Sequence, residues 1–296
     1  MFRKILFTDY GSFKVRLAEH LTTDIILKLA TLFMFTPAVI DELRQASNSP
    51  EQRMVSLMEE KGQISLMTSH PCNCSCKVNP IPYIREKVFR VNDIFVEGGI
   101  EIHGRHNTGS ERPLEGNRME AVKLKSYRDV FNDDIIASKR ILLEGDPGYG
   151  KSTFTLQAAY DWCNASDSSP LKDVAIFILL PLRLLDRILS ICLAIKLMLM
   201  PGESYLTEED IMEIMLNSRC VVMILDGYDE YPDKDISDQS EIMKIIAGNM
   251  FANFKVITCT RSAYLPDNLD VETVNVRLTG FDDNARDEYI KKSCCC

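Results

Sequence analysis

Gly145-Asp146-Pro147-Gly148-Tyr149-Gly150-Lys151-Ser152-Thr153 is the stretch that decides the fold. It fits G-x-x-x-x-G-K-[ST], the pattern of a phosphate-binding loop. Ile141-Leu142-Leu143 before it is short and apolar, as a buried strand is, and Phe154 to Trp162 after it reads as a helix. Strand, glycine turn and helix are the setting the pattern requires. The competing reading, a glycine-rich turn that merely precedes a helix, leaves the fit of both flanks unexplained.

The residue types answer a chemical need. Glycines let the backbone fold back so that successive N–H groups converge on one anion. The following helix adds the partial positive charge of its N-terminus. Lys151 has the length to meet β- and γ-phosphates, and the Ser152 hydroxyl is a ligand for Mg²⁺. All nine residues from Gly145 to Thr153 are therefore expected to hold the nucleotide.

Outward from the loop, composition sets bounds. The chain has 296 residues, 46% hydrophobic and 26% charged, as a globular protein of one large or two ordinary domains does. A net charge of −9 argues against bulk attraction to nucleic acid or an anionic membrane. The first residues, Met1 to Phe7, lack the sustained apolar core of a signal peptide. The most apolar stretch, Ala175 to Met200, is broken by Arg183, Asp186, Arg187 and Lys196, so no membrane span is expected. The ten cysteines fall in a group at Cys72, Cys74 and Cys76, a run at Cys294 to Cys296, and four scattered positions. That distribution reads as reduced thiols in a cytoplasmic protein.

Residues 1–70 read as a small helical unit. Thr23-Asp24, Thr36-Pro37 and Ser49-Pro50 are helix starts, Ser49 and Gln52 are spaced as a capping box, and Gly62 is a stop. No strand signal interrupts them, which suggests a compact all-α bundle. Residues 71–125 read as a linker punctuated by Pro71, Pro80, Pro82, Gly98-Gly99, Gly104, Gly109, Pro113 and Gly116. Cys72-x-Cys74-x-Cys76 beside His70 invites a zinc site, but structural zinc uses wider spacing in pairs, so a reduced cysteine-rich linker is the stronger reading. His103 and His106 read as exposed loop residues. From Ser126 onward apolar runs alternate with helices, the signature of a parallel α/β sheet flanked by helices. Strands are expected at Val174 to Leu179, Val221 to Leu225, Lys255 to Thr258 and Val271 to Leu278. Helices are expected at Arg183 to Met200, after a Thr207 cap, and at Glu241 to Phe251.

A phosphate loop needs an acid for Mg²⁺, normally at the end of a neighbouring strand. Asp226 follows Val221 to Leu225 and is placed for it. Asp229 and Glu230, just beyond Gly227, are candidates to orient or deprotonate an attacking water. Arg261, after the strand ending near Thr258, falls at the same sheet edge and suits a γ-phosphate.

Taken together, Gly145 to Thr153, the Asp226-Gly227-Tyr228-Asp229-Glu230 run and Thr260-Arg261 resemble the NACHT family of signalling ATPases, the nucleotide module of NOD-like receptors. Ser126-Tyr127-x-x-Val130-Phe131 is similar to the family's upstream segment near the adenine, and Leu180-Pro181-Leu182-Arg183 to its second-strand signature. The resemblance spans about residues 120 to 292. Cys259 and Ser262 depart from the threonine and proline usual there. Leu17-Ala18, Leu21, Ile40 to Leu43 and Pro50 to Gln52 resemble a death domain, with a sibling death fold or an unrelated bundle as alternatives. The resemblance implies ATP/ADP with Mg²⁺, weak ATPase activity at most, self-association on activation, and recruitment of death-fold adaptor proteins in innate immunity or cell death. Because family members continue into helical, winged-helix and repeat domains, the end at Cys296 reads as a truncation; the terminal cysteines do not form a C-a-a-X lipidation signal. Two alternatives are an ATPase or kinase acting as an enzyme in its own right, and a passive ATP-binding adaptor.

Overall fold

A computed structural model describes residues 77–78, 89–105, 121–164, 169–199, 206–218, 220–235 and 240–294. The helical unit expected over 1–70, the Cys72 to Cys76 group and His106 lie outside the described residues. In chain order the elements are β1 (Lys77–Val78), β2 (Phe89–Arg90), α1 (Val91–Ile94), β3 (Gly99–Arg105), β4 (Val122–Lys123), β5 (Arg140–Gly145) and α2 (Lys151–Asn164). They continue as β6 (Ile176–Pro181), α3 (Ile191–Leu199), α4 (Glu208–Asn217), β7 (Val221–Asp226), α5 (Glu241–Ile246), β8 (Lys255–Thr260), β9 (Val274–Gly280) and α6 (Asp283–Cys294).

Seven strands form one sheet in the order β4-β3-β9-β5-β8-β7-β6. The five from β9 to β6 run parallel, and β3 and β4 add an antiparallel edge. Their hydrophobic runs are continuous because both faces are covered. Ile141 and Leu143 of β5 join Phe177, Leu179, Val222, Ile224, Ile257 and Cys259 against Phe154, Ala158 and Trp162 of α2. Leu142, on the opposite face, joins Ile178, Leu180, Met223, Leu225 and Val256 against α3, α4 and α5.

Chain direction accounts for these layers. From β5 the chain crosses to β6 at the far edge, then returns through β7 to β8. Right-handed crossovers put helices on opposite faces when the direction reverses. The connections leaving the adjacent strands β5 and β8 run opposite ways, which opens a crevice at their carboxyl ends.

Several boundaries differ from those expected, each for a local reason. The helix expected from Arg183 begins at Ile191, since Arg187 adopts a left-handed backbone (φ 55°) with its N–H donating to Asp233. Ser190 then caps α3 by accepting from the Leu193 N–H. Helix α5 stops at Ile246, not Phe251, because Gly248 turns left-handed (φ 79°) and closes the end as a C-terminal glycine does. Val271 is 67% exposed in a turn closed by Thr273 N–H to Asp270 O, so β9 starts at Val274. The Thr207 cap is present as a capping box with Asp210. Residues 99–105 and 122–123, read as linker, instead pair into the sheet, with Ile100 buried beside β9. His103 is exposed, 3.6 Å from Glu101.

Arg140, at the start of β5, is 4% exposed and donates to the carbonyls of Ile245, Met250, Phe251 and Phe254. It thereby satisfies the end of α5 and the turn beyond it. Arg140→Leu leaves these acceptors without partners and is expected to destabilise the fold by about 3 kcal/mol. Urea unfolding of the two proteins measures this; a change under about 0.5 kcal/mol would refute the assignment.

Candidate functional site

The loop after β5 turns as its glycines allow. Tyr149 N–H donates to Asp146 O at 3.1 Å, and Gly148 and Gly150 take φ of 85° and 89°, where a side chain is strained. Phe154 N–H then donates to Gly150 O at 2.8 Å, the first bond of α2. Gly145 ends β5 close against Leu278, whose Cβ would lie 3.2 Å from an added Cβ. Lys151 Nζ reaches back over the loop and donates to the carbonyls of Gly145 and Asp146.

Asp226 ends β7 at the same sheet edge. Its strand is not hydrogen-bonded to β5, as a neighbouring-strand acid would imply: β8 lies between, paired with both. The two sites are still near enough for Ser152 to favour the charged form of the Asp226 carboxylate. Burial pushes that carboxyl above its ordinary value of 3.8, opposed by Ser152, Arg183 and Lys151, which favour the charged form. Gly227 then turns left-handed (φ 82°), and its N–H donates to Cys259 O at 3.1 Å. This ties the acidic turn to the end of β8.

Arg261 follows β8 and pairs with both downstream acids. Its Nε lies 2.7 Å from Asp229 and its Nη2 3.2 Å from Glu230. Thr260 Oγ1 donates to Tyr264 O at 2.6 Å and fixes the turn that carries Arg261. Cys259, where threonine was expected, points into the core with no exposure. The change therefore falls behind the site, where burial raises its thiol pKa well above the ordinary value.

One cleft of about 360 Å³ is lined by Pro147, Gly148, Gly150 to Thr153, Asp226, Asp229, Glu230 and Arg261. Of the residues singled out in the sequence, Gly145, Asp146 and Tyr149 do not line it. Arg183, which the sequence places in a strand signature and at a helix start, does. The signal was present: a guanidinium directly after the run Ile176 to Leu182, at the carboxyl end of a strand.

A second, more apolar cavity of about 160 Å³ adjoins the other side of the loop. Phe95, Glu97, Tyr127, Tyr149, Phe154 and Tyr289 are among its walls. Tyr127 is set by the capped turn Tyr127–Phe131, in which Ser126 and Asp129 form a capping box. Its hydroxyl donates to Asp161 on α2, and Glu97 accepts from the Ser126 hydroxyl at 3.0 Å. The sequence reading singled out Tyr127 but missed Phe95 and Glu97, which lie among glycines that suggested a linker.

The donor set suits Mg²⁺: a hydroxyl and a carboxylate side by side, hard oxygen ligands beside a cradle of N–H groups. A glycine loop at a strand–helix turn, an acid two strands away and an arginine between them define a P-loop NTPase. The family model for the NACHT domain matches residues 139–294, more than half of the chain. The chain belongs to the NACHT-domain family, a family of nucleotide-binding P-loop NTPases. No curated protein matches the chain as a relative. Among the described residues, no helix is long and apolar enough to cross a membrane.

The raised Asp226 pKa carries a sign. The folded protein takes up this proton at a higher pH than the unfolded chain, so the group's contribution to stability grows as pH falls through the folded pKa. Asp226→Asn removes the cost of the charge. The variant is therefore expected to be more stable than the parent at pH 7, with the gap narrowing as pH drops below the folded Asp226 pKa. Thermal melts of the nucleotide-free proteins across pH 4 to 8 would read this, and a gap that widens on acidification would contradict it.

Proposed function

We propose that this protein is an ATP-dependent signalling switch of the NOD-like receptor type. The observation that supports it best is the convergence of Lys151, Ser152, Asp226, Glu230 and Arg261 on one cleft. In this reading the loop N–H groups from Gly145 to Thr153 cradle the phosphates, and Lys151 leaves its carbonyl partners to meet the β- and γ-oxygens. Ser152 and Asp226 would hold Mg²⁺, which when bound offsets the charge of the phosphate oxygens. Arg261 answers the charge of the third phosphate. The base lies in the cavity beside Tyr127 and Phe95, where aromatic walls favour a flat ring.

Asp229 and Glu230 divide the remaining work. The Asp229 side chain is 7% exposed and committed to Arg261, whereas Glu230 is 44% exposed on the cleft wall. Glu230 is thus the better placed of the two to orient a water, and Asp229 holds the arginine. Hydrolysis in this design is slow and resets the switch. Nucleotide controls signalling by binding two conformations with different affinity. The triphosphate state favours self-association, and the region 1–70 recruits death-fold adaptors in the cytoplasm.

Lys151→Ala is expected to abolish Mg²⁺-ATP binding, read by titration calorimetry. Undiminished affinity in that variant would show that the phosphate cradle is wrongly assigned. For the parent protein, phosphate release is expected to be slow or near-stoichiometric. Sustained turnover of several per second, in the ordinary range for enzymes, would favour an ATPase that acts for its own sake.

A further inference from the structure

Lys151, Arg183 and Arg261 face Asp226, Asp229 and Glu230 across the cleft, three cations against three carboxylates. Their pairings are unequal. Arg261 is held twice, at 2.7 Å by Asp229 and 3.2 Å by Glu230. Arg183 has a single long contact, 3.9 Å from Nη1 to the other Glu230 oxygen, with its side chain 55% exposed. Such a pair contributes little to stability and is readily exchanged. The root of Arg183 is nonetheless firm: it sits in the turn Leu182–Leu184, between Leu182 and Leu185, both with no exposure.

Position says which phosphate this guanidinium can meet. Arg183 follows β6, three strands from β5, or roughly 14 Å at about 4.8 Å per strand. Inner phosphates held in the glycine loop lie at the β5 end. Only the outermost phosphate of a chain extending along the cleft comes within reach of β6.

We propose that Arg183, beside Arg261, is a specificity-determining residue that distinguishes a nucleoside triphosphate from a diphosphate. This rests on the nucleotide-binding reading above. The third phosphate takes Arg183 from Glu230, since a doubly charged oxyanion group is a stronger acceptor than a solvated carboxylate. Glu230, relieved of one of its two arginines, is then free to accept from a water. Reading the third phosphate and arming the carboxylate become a single exchange of partners.

The test is titration calorimetry of the full chain with Mg²⁺ and either ADP or a non-hydrolysable ATP analogue. Arg183→Gln is expected to weaken the triphosphate about tenfold and leave ADP within about twofold, one charge-assisted hydrogen bond being lost. Glu230→Gln is expected to strengthen the triphosphate several-fold by releasing Arg183, with Arg261 still held by Asp229, again with little effect on ADP. Arg183→Lys, which keeps the charge but not the planar fork, should fall between parent and Arg183→Gln, and it carries the test if Arg183→Gln does not fold. Equal losses for the two nucleotides, or an unchanged ratio, would overturn the assignment of Arg183 alone. A parent protein that takes up neither nucleotide would overturn the nucleotide reading and this inference with it.

Discussion

The insertion of β8 between β5 and β7 is the constraint on which the rest depends. Parallel pairing of Leu143 with Cys259 and of Asp226 with Cys259 puts the carboxyl ends of three strands level with one another. The glycine loop, the acidic turn and the arginine turn each leave the sheet at that level. Backbone pairing alone therefore brings residues from three distant parts of the chain to one edge. The Gly227 N–H bond to Cys259 O extends the ladder one step past the strand, so the acidic turn inherits the rigidity of the sheet.

The chemistry at this edge is a balance between burial and charge. Asp226 is desolvated, and its charge is supported by a hydroxyl and two cations, not by a paired arginine. The Asp229 side chain is also largely hidden, with Arg261 paired to it. Removing one partner from such a set leaves a carboxylate in poor solvent. In the reading proposed above, a phosphate chain would offer new partners to the cations and its metal ion new partners to the carboxylates, so internal pairs could be exchanged for the ligand's.

Much of this edge was legible in the sequence because its parts are local. A glycine loop between an apolar run and a helix, and an aspartate at the end of Val221 to Leu225, are patterns of a few consecutive residues. Strand order is not local. Nothing in the run Lys255 to Thr260 says that it threads between β5 and β7, and so Asp226 was assigned to a neighbouring strand. Strand β3 was missed because Gly98-Gly99 and Gly104 frame only two apolar-polar pairs, Ile100-Glu101-Ile102-His103. Arg187 was read as part of a helix because a left-handed backbone at arginine has no sequence signature. The aromatic cavity was only half visible: Tyr127 stood in a recognisable segment, whereas Phe95 reaches it by way of a turn that becomes meaningful only after folding.

Tyr149 gives the loop a second role. Gly280, at the end of β9 and in a left-handed turn, leaves room for the Tyr149 ring, whose edge lies 3.4 Å from where a Cβ would stand. The same bend thus borders both chambers, with the Tyr149 ring on the second alone. Gly148, Gly150 and Thr153 line both chambers, so the bend is a wall common to the two. Beyond that wall, Phe281 packs on Tyr289 of α6, with the ring centres 5.4 Å apart. Gly280, a residue without a side chain, is thus the point where the bend meets the segment that leads from β9 into α6.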